Sequence, residues 1–206
     1  MWALVESDNV TQVFTRPKGI TIGEVNYPSN IFMLWTASEL EAIGIYEIVI
    51  DNTNLKNQEY YINTNQSFDF ADGVVTASYG TATAKPLDDI LWAEGDEDMP
   101  EGVSVGDVKQ PGIRKGYKDI INSQAGGILQ ATDWMVVRAS EGGTAVPSDI
   151  ATWRAAVRTK SNDMCTAINN AEDVDALAAL YTYTNTGTEE SPVMERPLGE
   201  FPILGA

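Results

Sequence analysis

No histidine occurs anywhere in this sequence. That removes every arrangement built on imidazole, from the Ser-His-Asp triad to a histidine-ligated metal. Cysteine is nearly as scarce. The one thiol, Cys165, can close no internal disulfide and cannot by itself build a thiolate metal site. Its place near the apolar seam of a helix favours a small buried hydrophobe over a reactive group. Positive charge is thin: 13 basic against 30 acidic residues leave a net charge of −17. Such a surface repels nucleic acid and anionic membranes and favours basic or polar partners. Apolar runs fall short of the roughly 20 residues of a membrane span, and no basic segment followed by an apolar core opens the chain. Phosphate-cradling motifs are missing too, since neither Gly-Lys-Ser/Thr nor Gly-x-Gly-x-x-Gly surrounds Gly142-Gly143.

What is present supports a folded protein. A hydrophobic share of 43% is enough for a core. Residues 2–14 read as a hairpin across Glu6-Ser7-Asp8-Asn9, whose Asp and Asn tolerate left-handed backbone angles. A loop follows, with a short strand at Ile20 and Ile22. Ser38-x-x-Glu41 reads as a capping box for a short helix closed by Gly44. Residues 45–50 form a β-branched strand, and Tyr60-Tyr61-Ile62 another. Asp72-Gly73 is the strongest hairpin signal, with Phe68 and Phe70 on one face of its first arm. Residues 1–86 are thus expected to be a β-rich domain.

Residues 87–112 read as an acidic linker, because residues 94–102 crowd five acids with two glycines and a proline. The spacing departs from a calcium-binding loop, so a solvated connector is expected and no metal. Carboxylate pairs such as Asp88-Asp89, or Asp96 and Asp98, sit in loops without a rigid site, and no catalysis is expected. From Ile113 the period becomes helical: Ile113, Tyr117, Ile120, Ile121 and Ile128 share a face that Gly126-Gly127 weakens or bends. Thr132 or Asp133 is placed to cap a new helix at Trp134. Pro147 suits a first helical turn and Asp149 its dipole. Ile150, Trp153, Val157, Met164 and Ile168 form a seam interrupted by Lys160. Asp173 can cap a last helix. Residues 113–185 make a helical module, and residues 186–206 an extended tail. The fold class is α+β: a small N-terminal antiparallel β domain followed by a C-terminal helical module.

Two apolar clusters, Val193-Met194 and 201–204, interrupt the tail. Burying an apolar side chain contributes roughly 1.5–3 kcal/mol. Ordering the backbone costs about 1 kcal/mol or more per residue. Residues 201–204 alone cannot hold this tail, so Val193, Met194 and Leu198 should be buried along with Phe201, Pro202, Ile203 and Leu204. A groove on a partner, a second copy or the β domain is the expected seat.

Leu129, Thr132, Asp133 and Trp134, then Pro147, Trp153, Arg154 and Arg158, follow the order helix, Thr-Asp-Trp, turn, Pro, aromatic-Arg helix. In that order the chain resembles the C-terminal module of bacteriophage tail-fibre assembly and tail assembly chaperone proteins, best over residues 113–181. The opening Met-x-Ala-Leu-Val, the Leu-x-x-x-Gly-Ile-Tyr strand and the Asp-Gly hairpin are similar, more loosely, to N-terminal modules fused to such segments in marine phages. The resemblance implies a non-enzymatic helper that binds a trimeric tail-fibre protein and promotes its folding and trimerisation. It would act in the host cell cytoplasm, with or without remaining on the virion tail. It implies no cofactor, nucleic acid or membrane, and is compatible with a homo-oligomer. A permanent virion component, such as a fibre-tip, adhesin or baseplate-associated subunit, is the alternative. Candidate partner-binding residues are Trp134, Arg138, Trp153, Arg154, Arg158, Phe201 and Leu204. Each has a competing role: core packing for the tryptophans, above all Trp153 on the seam, and pairing with local acids for Arg154 and Arg158.

Overall fold

The structure is a computed structural model and describes residues 1–205. The chain divides into two compact units, Met1–Thr83 and a second from Ala84 onward. The mixed α+β class holds, with a curled sheet in the first unit and helices in the second.

In the first unit, β1 (Trp2–Glu6) and β2 (Asn9–Phe14) form the expected hairpin. Its left-handed residues are Ser7 and Asp8 rather than Asp8 and Asn9, because the Asn9 amide turns back to donate to the Ser7 carbonyl at 2.7 Å. Where a loop with one short strand was expected, β3 (Ile20–Ile22) pairs with β4 (Val25–Tyr27). Two single-turn helices follow, α1 (Ile31–Leu34) and α2 (Ala37–Glu41). The capping box lies two residues upstream of the expected one. Thr36 is extended, as a residue preceding a helix must be, and exchanges bonds with Glu39: Glu39 N–H donates to Thr36 Oγ1 at 3.3 Å, and Thr36 N–H to Glu39 Oε2 at 2.8 Å. That backbone N–H, with the Thr36 hydroxyl second, holds the Glu39 carboxyl below the usual range. Gly44 ends the turn at φ +81°, where a Cβ would stand 2.8 Å from the Val5 carbonyl oxygen, so only glycine fits without strain.

β5 (Ile45–Asp51), β6 (Tyr61–Ile62), β7 (Gln66–Ala71) and β8 (Val74–Tyr79) complete this unit. The main sheet has the order β2-β1-β5-β8-β7, and β5 with β8 is its one parallel pair. Asp72 and Gly73 both take left-handed angles between β7 and β8, as their hairpin turn demands. Alternation then sends Ala3 and Leu4 to opposite faces. Leu4, Phe14, Phe32, Leu40 and Ile45 pack on one side, while Ala3, Ile48, Val75 and Ala77 pack on the other. Val10 and Val13 of β2 join Phe68 and Phe70 of β7 around the second cluster, which curls the sheet.

After β9 (Thr83–Ala84), at the boundary between units, the acidic stretch is solvent-exposed as expected but folds into a hairpin. β10 (Ile90–Leu91) pairs with β11 (Val108–Gln110). Trp92 and Asp107 continue the ladder at 2.8 Å, and Lys109 lies 4.4 Å from the Trp92 ring while pairing with Asp96 at 3.1 Å. The Ile113 and Arg114 amides donate to the carbonyls of Pro86 and Leu87, and the Arg114 guanidinium joins Asp88 to the Ala171 carbonyl. Backbone bonds rather than apolar periodicity build this hairpin, so composition hides it.

Helix α3 (Ile113–Ser140) runs unbroken through Gly126-Gly127 and Thr132-Asp133-Trp134. The expected helix start at Trp134 is therefore absent. Thr132 is buried and its hydroxyl donates to the Leu129 carbonyl at 3.0 Å instead of capping. Each glycine costs about 1 kcal/mol in a helix interior; packing against a neighbour offsets it. That neighbour is α4 (Ser148–Asn170), which starts after Pro147. The pairs Arg114–Ala171, Lys118–Asn169, Asn122–Ser161 and Thr132–Arg154 advance in opposite directions along the two helices, so they are antiparallel. The buried stripe of α4 is Arg154, Val157, Ser161, Met164 and Ile168; it keeps Val157, Met164 and Ile168 of the expected seam, adds Arg154 and Ser161, and leaves Ile150 and Trp153 only half-buried. Helix α5 (Val174–Tyr181) is capped as expected, Asp173 accepting from the Ala176 amide at 2.7 Å. Leu177 is fully buried, as are Ile121, Val157, Met164 and Ile168.

Candidate functional site

Trp134 and Arg138 stand one turn apart on α3, four residues being about one helical period. The Arg138 guanidinium lies 4.9 Å from the Trp134 ring. Trp134 is 55% exposed, so it is a surface residue rather than core. Val136, Val137 and, further back, Ile120 are exposed on the same helix. Sequence reasoning did not single out these exposed residues: in the run 134–137, four apolar residues cover almost every direction round the helix and hide which face is free. An arginine stacked on an exposed tryptophan makes a platform with an apolar body and a positive rim. It suits a partner carrying both apolar and acidic groups.

Arg154 lies elsewhere. It is 7% exposed and points into the helical hairpin. Its guanidinium donates to the Leu129 carbonyl at 2.9 Å, to Thr132 Oγ1 at 2.5 Å and to Asp133 Oδ1 at 2.7 Å. Thus Thr132, Asp133 and Arg154 of the Thr-Asp-Trp and aromatic-Arg elements meet, and they lock α3 to α4. The local-acid role wins for Arg154, and its donors are committed inside the fold. Arg158, one turn on, is exposed.

Trp153 is half-buried, and its indole Nε1–H donates to the Pro202 carbonyl at 2.9 Å. Within its own helical unit the tail is seated on α4 and α5. β12 (Thr184–Asn185) and β13 (Met194–Glu195) turn the chain back. Arg196 then spans the Tyr181 and Tyr183 rings and pairs with Glu200 at 2.8 Å, and the Leu198 amide donates to the Leu180 carbonyl at 3.1 Å. Of the apolar residues expected to be buried, Leu198 is, at 2% exposure, and Phe201 is half-buried. Val193, Met194, Ile203 and Leu204 remain exposed. Main-chain bonds and arginine stacking supply the rest of the anchoring. Trp153, Leu204 and the first turns of α4 line an open cleft of about 780 Å³.

Leu198 is therefore the tail's anchor. Leu198→Ala is expected to lower the stability of the helical unit by about 2–4 kcal/mol, the usual cost of emptying a fully buried leucine site. Urea unfolding followed by circular dichroism measures it. A loss below about 0.5 kcal/mol, typical of surface changes, would show that the tail is held by its polar bonds alone.

The candidate residues thus fall into separate places: a surface pair on α3, a buried lock between α3 and α4, and a tail seat on α4. No group of three or more acidic or cysteine side chains arranged to hold a metal ion occurs among the described residues. No described helix is long and apolar enough to cross a membrane. No protein family, curated protein or solved structure matches the chain.

Proposed function

We propose that this chain is a non-enzymatic assembly chaperone for a phage tail-fibre protein, using the exposed α3 surface around Trp134 and Arg138 to hold the fibre chain during folding and trimerisation. The resemblance over residues 113–181 suggests the class. The observation that carries the reading is an exposed tryptophan stacked with arginine, on a helix whose other face is core. Large aromatic and arginine side chains dominate binding energies at interfaces. Fibre strands awaiting assembly expose edges that pair indiscriminately, and an acidic, highly charged helper would keep such a complex in solution. The proposed setting is the host cytoplasm, without a nucleic-acid or membrane partner. Arg154 is left out of the contact set because its hydrogen bonds are internal; Trp153 and Leu204 enter only through the tail cleft, Phe201 only as a half-buried residue of the tail, and Arg158 as a flanking charge.

Co-expression tests the proposal. With the fibre protein encoded beside it, this chain should raise the yield of soluble trimer. Equal trimer yield without it refutes the reading. The division into two compact units favours a second reading, a permanent virion component in which one unit grips the particle while the other projects. Mass spectrometry of purified particles separates the two, since a structural subunit is present in stoichiometric amount and a transient helper is absent.

A further inference from the structure

The first unit contains a small cleft that plays no part in the proposed chaperone surface. Trp2, Phe32, Trp35, Ala37, Leu40, Ile45 and Glu47 line about 180 Å³. Liquid water occupies about 30 Å³ per molecule, so the space equals roughly six waters, well below a drug-sized pocket. It admits one small head group.

Three aromatic rings and one carboxylate converge there. Strand pairing sets Trp2 of β1 directly across from Glu47 of β5. Phe32 is buried and held between Trp2 at 4.9 Å and Phe14 at 5.6 Å. Trp35, at the end of α1, is braced edge-on by Tyr27 at 5.8 Å and 84°. The Glu47 side chain makes no ion pair or hydrogen bond with any described residue, and no lysine or arginine lines the cleft. Glu47 is exposed and keeps its water, so an apolar guest gains nothing from the carboxylate. A cation meets both features, because aromatic faces attract positive charge and the carboxylate neutralises it. The first unit is itself acidic, with ten carboxylates against three basic side chains in residues 1–83, which raises the local concentration of cations.

The geometry points to a binding site for an organic cation, an alkylammonium head group held by Trp2, Phe32 and Trp35 and neutralised by Glu47. The same chemistry is offered by a free quaternary amine and by a lysine side chain of a polypeptide. The inference rests on the first unit alone and stands apart from the fibre-chaperone reading.

Nuclear magnetic resonance of the full chain tests it through the indole N–H signals of Trp2 and Trp35. Three probes are titrated: choline, an N- and C-blocked lysine, and 3,3-dimethylbutanol, the uncharged isostere of choline. Choline, blocked lysine or both should shift the two indole signals, with the neutral isostere weaker by about three- to thirtyfold, the range set by cation–π attraction. Binding of choline alone assigns the site to a free quaternary amine, and binding of blocked lysine assigns it to a polypeptide side chain. Trp35→Leu should weaken the cation by about two- to thirtyfold. The exposed Glu47→Gln, which leaves the fold intact, should weaken it by about two- to fivefold. Equal shifts from the neutral isostere, or no shift from either cation up to on the order of 100 mM, well past millimolar affinity, overturn the inference.

Discussion

Trp134→Ala is expected to weaken binding of the proposed fibre partner by about thirtyfold or more, the loss typical of a truncated interface anchor. The same change should move stability by at most about 1 kcal/mol, because an exposed cation–π pair contributes no more than that. Separation of the two effects follows from position. Trp134 is 55% exposed on α3, so removing its ring opens no cavity in the core. Arg138 loses the ring it stacks on but keeps its place in the last turn of α3. Arg138→Ala should therefore weaken binding less, and the double variant should show coupling between the two, since neighbouring residues in one contact are not additive. Titration calorimetry against purified fibre tips reads all three. Unchanged affinity in Trp134→Ala would remove this surface from the interaction.

Arg154→Ala should have the opposite signature: large in stability, with any loss of binding following from unfolding. The guanidinium is buried between α3 and α4 and carries three hydrogen bonds, one to the Asp133 carboxylate. Hydrogen bonds to charged groups contribute about 1.5–3 kcal/mol each, although bonds sharing one side chain do not sum. Breaking a buried pair from one side typically costs about 3–5 kcal/mol. Here Asp133 faces solvent and regains water, and Thr132 keeps its bond to the Leu129 carbonyl. The expected loss is consequently near the lower end, about 3 kcal/mol. Lysine should not rescue it, because a single ammonium cannot span the three acceptors that a planar guanidinium reaches together. Chemical denaturation followed at 222 nm, the helix band, tests this. A loss under about 1 kcal/mol would mean that the network only decorates a hairpin held by Val157, Met164 and Ile168.

Features settled within a few residues were legible in the sequence. Asp72-Gly73 makes its turn because both positions need left-handed angles, a property of those two residues alone. Asp173 caps α5, and Pro147 precedes α4, for equally local reasons of hydrogen bonding and fixed φ. The alternation that places Phe68 and Phe70 on one face is likewise intrinsic to a strand. The α+β class followed, because each unit's period is written in its own apolar spacing. Thr132 and Asp133 mark the limit. Locally they are good capping residues, yet they sit inside a continuous helix because Arg154, some twenty residues away, takes up their oxygens. Residues 94–102 are solvated, as composition suggests, yet they lie within a hairpin whose ladder is made by main-chain bonds that leave no apolar period in the sequence. Trp2 and Glu47 become neighbours only through the register of β1 on β5, and Trp153 meets the Pro202 carbonyl only once the tail folds back. Short-range dihedral and capping preferences act residue by residue, whereas these pairings depend on which distant partner satisfies a buried donor or an exposed edge. The tertiary structure alone decides that, and it is where the exposed Trp134 surface and the aromatic cleft come from.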